Sequence, residues 1–156
     1  MRRKDREITD RNEITAIMEK CEICNIALFD EDYPYIVPLN FGFTYEDNNF
    51  CLYFHCAREG KKLELIRNNP KTAFEMSCSH KLITGEKACD YTMEFESVCG
   101  NGIMEVLPED QKLLALTQLM KHYSKAPTFS FDEHACRVVT VLRLTVNEIT
   151  GKRLKK

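Results

Sequence analysis

The sequence predicts a mainly β fold, a small and mostly antiparallel barrel with helices at its periphery. Three observations lead there. Apolar segments with strand character outnumber helical ones. Their order runs helix, several strands, short helix, more strands, longer helix and last strand. The chain has 156 residues, which suits one core of roughly 100–200 residues. Doubly wound parallel sheets alternate strand and helix far more regularly, which disfavours that class. No internal repeat or linker is visible, and residues 1–156 are expected to form one domain.

Taken in order, Asp10 is placed to cap a helix over residues 10–20, with Glu13 at the capping-box position and Ile14, Ile17 and Met18 on one face. Residues 24–29 form a strand, Asp30-Glu31-Asp32 a turn, and residues 33–45 a second strand rich in Ile36, Val37, Leu39, Phe41 and Phe43. Asp47-Asn48-Asn49 signals a turn into a third strand over residues 50–55, and the three strands read as a meander. From Glu59 the apolar residues Leu63, Leu65 and Ile66 recur at helical spacing. Asn68-Asn69-Pro70 stops that helix, because the residue before proline avoids the α region. A strand over residues 72–78 leads into a long polar excursion loop, 79–89. Residues 92–106 form a long strand interrupted at Gly100 and Gly102, where a bulge or a close backbone approach is expected. Pro108 and the acidic residues after it open an amphipathic helix to about residue 125, and residues 138–149 close the sheet.

Composition excludes several functions. The 44% hydrophobic content is too high for a disordered chain. With 22 basic against 24 acidic residues there is no bulk positive field for nucleic acid, so any bound anion must be captured locally. One core leaves no room for a separate dinucleotide-binding domain. Met1-Arg2-Arg3-Lys4-Asp5-Arg6 lacks the apolar stretch of a secretory signal, and no run approaches the roughly 20 apolar residues of a membrane span. The expected compartment is the cytoplasm, where the eight cysteines stay reduced.

The most informative stretch is Tyr53-Phe54-His55-Cys56-Ala57-Arg58-Glu59-Gly60-Lys61-Lys62. A strand ends, a turn follows, and a glycine with two lysines opens a helix. Orphan amides, the favourable end of the helix dipole and two ammonium groups together suit a phosphate. A lysine pair alone is more often a solvated helix face, but His55 at the adjoining strand end raises the case for function. The GxxxxGK[ST] pattern is absent, which disfavours nucleotide hydrolysis.

Pro34-Tyr35-Ile36-Val37-Pro38-Leu39-Asn40-Phe41, then Tyr53 to Ala57 with Gly60-Lys61-Lys62, then Asn69-Pro70 and Ser97-Val98-Cys99-Gly100-Asn101-Gly102, resemble the successive signatures of one family. It is the pyridoxamine 5′-phosphate oxidase-like FMN-binding split barrels, and within it the nitroimidazole-resistance (nitroimidazole reductase) branch. The resemblance covers residues 10–152. It implies an FMN-dependent oxidoreductase that reduces small oxidants such as nitroimidazoles or nitroaromatics, with reduced nicotinamide or another donor supplying electrons. Lys61 and Lys62 would hold the flavin phosphate, while Ala57 and Gly60 let the backbone approach. Val37, Pro38, Leu39 and Asn40 would line the ring, and His55 would stand near ring and substrate as the catalytic residue. The family implies a homodimer, whose partner site the 97–102 strand or the Gly151-Lys152-Arg153 tail would help complete. The oxidases proper end in an arginine and histidine pair that holds substrate, and here Leu154-Lys155-Lys156 stands instead, so pyridoxamine phosphate oxidation is not expected. The alternative is a non-catalytic carrier of flavin or haem.

Cys21-Glu22-Ile23-Cys24 is a CxxC pattern, but it ends a helix and enters a strand, the reverse of a thioredoxin-like motif. Zinc at His55, Cys56, Cys78 and His80 is a weaker alternative without paired CxxC spacing, and no metal is expected. Cys51, Cys78 and Cys99 read as buried strand residues, Cys56 as a small turn residue and Cys89 as the best candidate for an exposed thiol, with a semi-buried position an equal alternative. His122 needs no role beyond a favourable cation at a helix end, and His134 reads as a surface residue.

Overall fold

The computed structural model describes residues 3–155. Met1 and Arg2 of the basic start, and Lys156 of the lysine-rich end, lie outside the described residues. The elements are β1 (Glu7–Ile8), α1 (Arg11–Met18), β2 (Cys24–Leu28), β3 (Tyr35–Leu39), β4 (Gly42–Glu46), β5 (Asn49–Ala57), α2 (Lys61–Asn68), β6 (Lys71–Ile83), β7 (Thr92–Val106), α3 (Lys112–Tyr123), α4 (Glu133–Arg137) and β8 (Val139–Leu154).

All strand pairs are antiparallel, and the sheet order is β3-β2-β6-β7-β8-β5-β4, with β1 paired to β8. This is the split barrel, and its outer strands are consecutive in sequence. The segment expected as one strand over 33–45 breaks at Asn40-Phe41, and β3 and β4 form opposite edges of the sheet. The meander is therefore corrected: β2 pairs with β3 and β4 with β5, but the chain crosses the split between β3 and β4. Burial explains the break. Phe41 is wholly buried in the core, its ring centroid 4.4 Å from that of His122, and it draws the chain inward between the two edges.

Local signals behave as their chemistry requires. Asp10 caps α1, its Oδ1 accepting from the Glu13 amide at 2.9 Å, while the Glu13 carboxylate turns to Arg153 instead of closing a capping box. The β4–β5 turn places both Asp47 and Asn48 at positive φ, as a two-residue hairpin turn requires. The expected irregularity at Gly102 is a register shift against β8, and a Cβ there would strike the Thr145 carbonyl.

The first part of the 79–89 excursion, to Ile83, is strand, and residues 84–89 remain a connection. After a bulge at Ser79-His80, Lys81, Leu82 and Ile83 pair with Glu94, Met93 and Thr92, extending the β6–β7 hairpin as an arm. The closing strand likewise runs on to Leu154 because β7 and β1 supply partners as far as the Phe95–Leu154 pair. The main core lies between the curled sheet and the apolar faces of α1 and α2, with Ile14, Ile17, Leu63 and Ile66 buried. A smaller core of Tyr53, Leu107, Ala115, Leu116 and Val141 forms under α3 on the sheet's other face. No helix among the described residues is long and apolar enough to cross a membrane.

Candidate functional site

Three chain segments meet where the split opens: the loop after β2, the start of β3, and the end of β5 with the start of α2. The start of β3 and the β5–α2 segment line a cavity of about 180 Å³, with Tyr35, Ala57, Glu59, Gly60, Lys61 and Lys62 among its lining residues, and the loop after β2 reaches it through the Asp30–Lys61 pair. Ordinary ligand sites run to roughly 300–1,000 Å³, so this cavity suits the anionic end of a ligand while the rest lies outside. Gly60 caps α2 at φ 133°, a left-handed region that glycine adopts without strain, and nothing stands within 4 Å of where its Cβ would project. Leu63 closes the first turn onto the Gly60 carbonyl at 2.9 Å, which leaves the Lys61 and Lys62 amides at the helix's electropositive end.

Lys61 is not idle. Its ammonium pairs with Asp30 Oδ2 at 2.5 Å and lies 5.7 Å from the centroid of the Tyr35 ring. The hydrogen bond from Lys61 lowers the Asp30 carboxyl pKa, and the same contact raises that of Lys61. Asp30 reads as a turn residue in the sequence, and no local signal marks it as a partner of Lys61. Tyr35 belongs to the stretch that carries the resemblance, yet its place under Lys61 follows only from the fold bringing the start of β3 to the start of α2.

From Tyr35, β3 runs along the split as an edge strand. Val37 and Leu39 turn inward against the core, whereas Ile36, Pro38 and Asn40 face out. A proline fits here because an edge strand has one side without a ladder to complete. Tyr123 anchors the end of this edge: its hydroxyl accepts from the Phe41 amide at 3.0 Å and the Asn40 side chain at 3.3 Å, and donates to the Glu22 carbonyl at 2.7 Å. His122 adds a 2.7 Å bond to the Cys21 carbonyl, which requires Nε2 to donate. Its role is to tie α3 to the end of the α1 segment, beyond the dipole effect expected of it.

His55 sits on β5 opposite Val141, exposed, two residues from Ala57. It is not among the residues lining the small cavity. The structure therefore gathers Ala57, Gly60, Lys61 and Lys62 into one cradle, sets Val37 to Asn40 along the edge leading from it, and leaves His55 beside it on the outer face.

Other sequence expectations resolve physically. Cys21 and Cys24 are buried, and burial pushes both thiols up, which leaves them un-ionised and unreactive. Cys56 is a buried strand residue rather than part of the turn, Cys51 is half-buried, and Cys99 is exposed on β7, so only Cys78 of the three strand cysteines is fully in the core. Cys89 is exposed. β7 and β8 lie between β6 and β5 in the sheet, separating Cys78 and His80 from His55 and Cys56. Among the described residues, no group of three or more His, Cys, Asp and Glu is placed to hold a metal. Arg153 of the tail is committed within its own chain, to Glu96 and Glu13 at 2.6 Å each.

A larger cavity of about 630 Å³ lies at the C-terminal end of α3 among Phe43, Lys121, His122, Tyr123 and Lys125. Helix carbonyls point that way, so the dipole opposes an anion there and favours one at the start of α2.

Comparison with known proteins shows the family and the fold. The family model for pyridoxamine 5′-phosphate oxidase matches residues 10–153, and the chain belongs to that family. Within it, the chain is 34% identical to a candidate 5-nitroimidazole antibiotic resistance protein from Bacteroides thetaiotaomicron, with a TM-score of 0.78 over 94% of this chain and 86% of that one. The flavocytochrome Anf3 of Azotobacter vinelandii shares the fold at 16% identity and TM-score 0.81, over 100% and 72% of the two chains. An FAD- and haem-binding protein of Mycobacterium smegmatis does so at 15% identity and TM-score 0.81, over 97% and 74%. No curated protein sequence matches the chain.

Proposed function

We propose that the chain binds FMN and, as a homodimer, reduces small oxidants of the nitroimidazole or nitroaromatic class. The observation that carries this reading is the continuity of a phosphate-sized cationic cradle at Gly60-Lys61-Lys62 with a free strand edge at Val37 to Asn40. The 34% identical relative named for 5-nitroimidazole resistance supports the substrate class.

The residues present fit the cofactor. Lys61, Lys62 and the first amides of α2 would neutralise and orient the phosphate, and Gly60 would admit it without a side chain in the way. Outward backbone groups of the β3 edge and the Asn40 amide would meet the polar rim of the ring, with Asn40 held by its hydrogen bond to Tyr123. The flavin, when bound, supplies the electron transfer, and the protein supplies position and charge. His55, exposed on the outer face beside Ala57, exchanges protons with water and donates one to the oxygen of the reduced substrate. Phe29, Tyr33 and Ile36 stand exposed next to the cradle, an apolar rim suited to cover by a second copy.

The test is an absorbance spectrum of freshly purified protein, followed by FMN titration, sizing and anaerobic turnover of a nitroimidazole with reduced nicotinamide. Flavin binding with turnover in a dimer is expected. Bound flavin without turnover, with any donor tried, would make the protein a carrier; a haem spectrum or no flavin uptake would remove the FMN assignment.

A further inference from the structure

The Lys61–Asp30 contact has a geometry that a loose surface pair does not. Asp30 stands at the end of the β2 segment, with its side chain only 21% exposed, and its two oxygens have separate partners. Oδ1 accepts from the Glu31 amide at 2.9 Å, so the carboxylate is oriented by its own backbone before any lysine arrives. Oδ2 then receives Lys61 at 2.5 Å. Lys61, whose side chain is 56% exposed, reaches this carboxylate from the first position of α2 across the split, over the Tyr35 ring. The cradle's most forward ammonium is thus already matched with an anion of this chain.

We propose that Asp30 is a specificity-determining residue of the phosphate cradle, an internal counter-ion that a ligand phosphate must displace from Lys61 or share with it. This rests on the reading of the cradle as a phosphate site. A dianionic phosphate arriving at Lys61 meets the Asp30 charge at close range, and either outcome weakens binding: the pair separates, or the two anions remain near one ammonium. The penalty falls on the phosphate alone. A flavin lacking it, riboflavin, contacts the β3 edge without displacing Asp30. Asp30 therefore sets how strongly the site prefers a phosphorylated flavin to an unphosphorylated one, and it keeps Lys61 compensated when no ligand is bound.

The test is fluorescence titration of native and Asp30→Asn chains with FMN and with riboflavin, repeated in a Lys61→Met background. Asparagine keeps an oxygen for the Glu31 amide, and circular dichroism with thermal melting confirms the fold. Asp30→Asn is expected to tighten FMN about three- to tenfold and to leave riboflavin unchanged, raising the preference by the same factor. In the Lys61→Met chain the gain shrinks to about twofold or less. Unchanged or weaker FMN binding by a folded Asp30→Asn chain would overturn the proposal, as would an equal gain for riboflavin or a full gain without Lys61. If the native chain binds no FMN, the cradle reading falls and the proposal with it; if the native chain binds FMN and Asp30→Asn gains nothing, only the proposal falls.

Discussion

Two lysine–carboxylate contacts of nearly equal length serve opposite ends. Lys20 meets Glu96 at 2.6 Å, and Lys61 meets Asp30 at 2.5 Å. Glu96 is 1% exposed and receives Lys20, Arg153 and Ser79 together, tying the end of α1, the bulge of β6 and the tail of β8 to β7. Burial alone would raise its pKa, but the hydrogen bonds from Lys20, Arg153 and Ser79 outweigh burial and bring it down to about 2. Asp30 is partly exposed and Lys61 more so, and a single ionic contact joins them. Length does not distinguish the two pairs. Burial and the number of partners make one a structural fastening that is costly to open, and leave the other the pair that, in the proposed reading, a ligand phosphate would compete for.

The largest effect is expected from breaking the fastening. Glu96→Gln keeps the shape but strips Lys20 and Arg153 of their shared anion, and should cost about 3 kcal/mol in urea denaturation. The pH dependence sharpens the point. A folded pKa near 2, below the ordinary 4.5, means that Glu96 contributes stability present above about pH 4.5 and lost as pH falls toward 2. Acid unfolding of the native chain should show that limb, and Glu96→Gln should flatten it.

On the other side of the comparison, replacing Lys61 and Lys62 together by alanine should weaken FMN about 10- to 100-fold with little shift in melting temperature. Equal FMN affinity would take both lysines out of the phosphate site. Tyr123→Phe removes the hydroxyl that joins Asn40, Phe41 and Glu22, and should cost about 1 kcal/mol while weakening both flavins alike. A loss confined to FMN would contradict its place at the ring end. The smallest change in stability, within about 0.5 kcal/mol, is expected for exposed His55→Ala, whose turnover should nonetheless fall about tenfold or more. Normal turnover would leave His55 without a catalytic part.

Much of this was legible because its causes are local. The Asp10 cap, the Asp47-Asn48 turn, the glycine irregularity in β7 and the Gly60-Lys61-Lys62 helix start each depend on residues within a few positions of one another. The strand over 33–45 misled because its residues keep β propensity throughout. Only the burial of Phe41 between two edges splits it. The start of the 79–89 excursion misled in the opposite sense, since Lys81, Leu82 and Ile83 are too short a run to show alternation and are held as strand by pairing with Glu94, Met93 and Thr92. Glu96 passed unnoticed because a lone glutamate in a strand reads as an outward-facing residue unless cations from elsewhere are brought to it.

The sequence by itself determined the strand-rich class, the chemistry at the start of α2 and the family to which the chain belongs. The tertiary structure decided that β3 and β4 are opposite edges, that the cradle opens beside the β3 edge, and which carboxylate each lysine meets. Lys20 and Glu96 are 76 positions apart and Arg153 and Glu96 are 57 apart, so their meeting depends on sheet order and register. Side-chain chemistry is written locally, but the partner that makes a charge structural or exchangeable is supplied by chain segments that only the fold brings together.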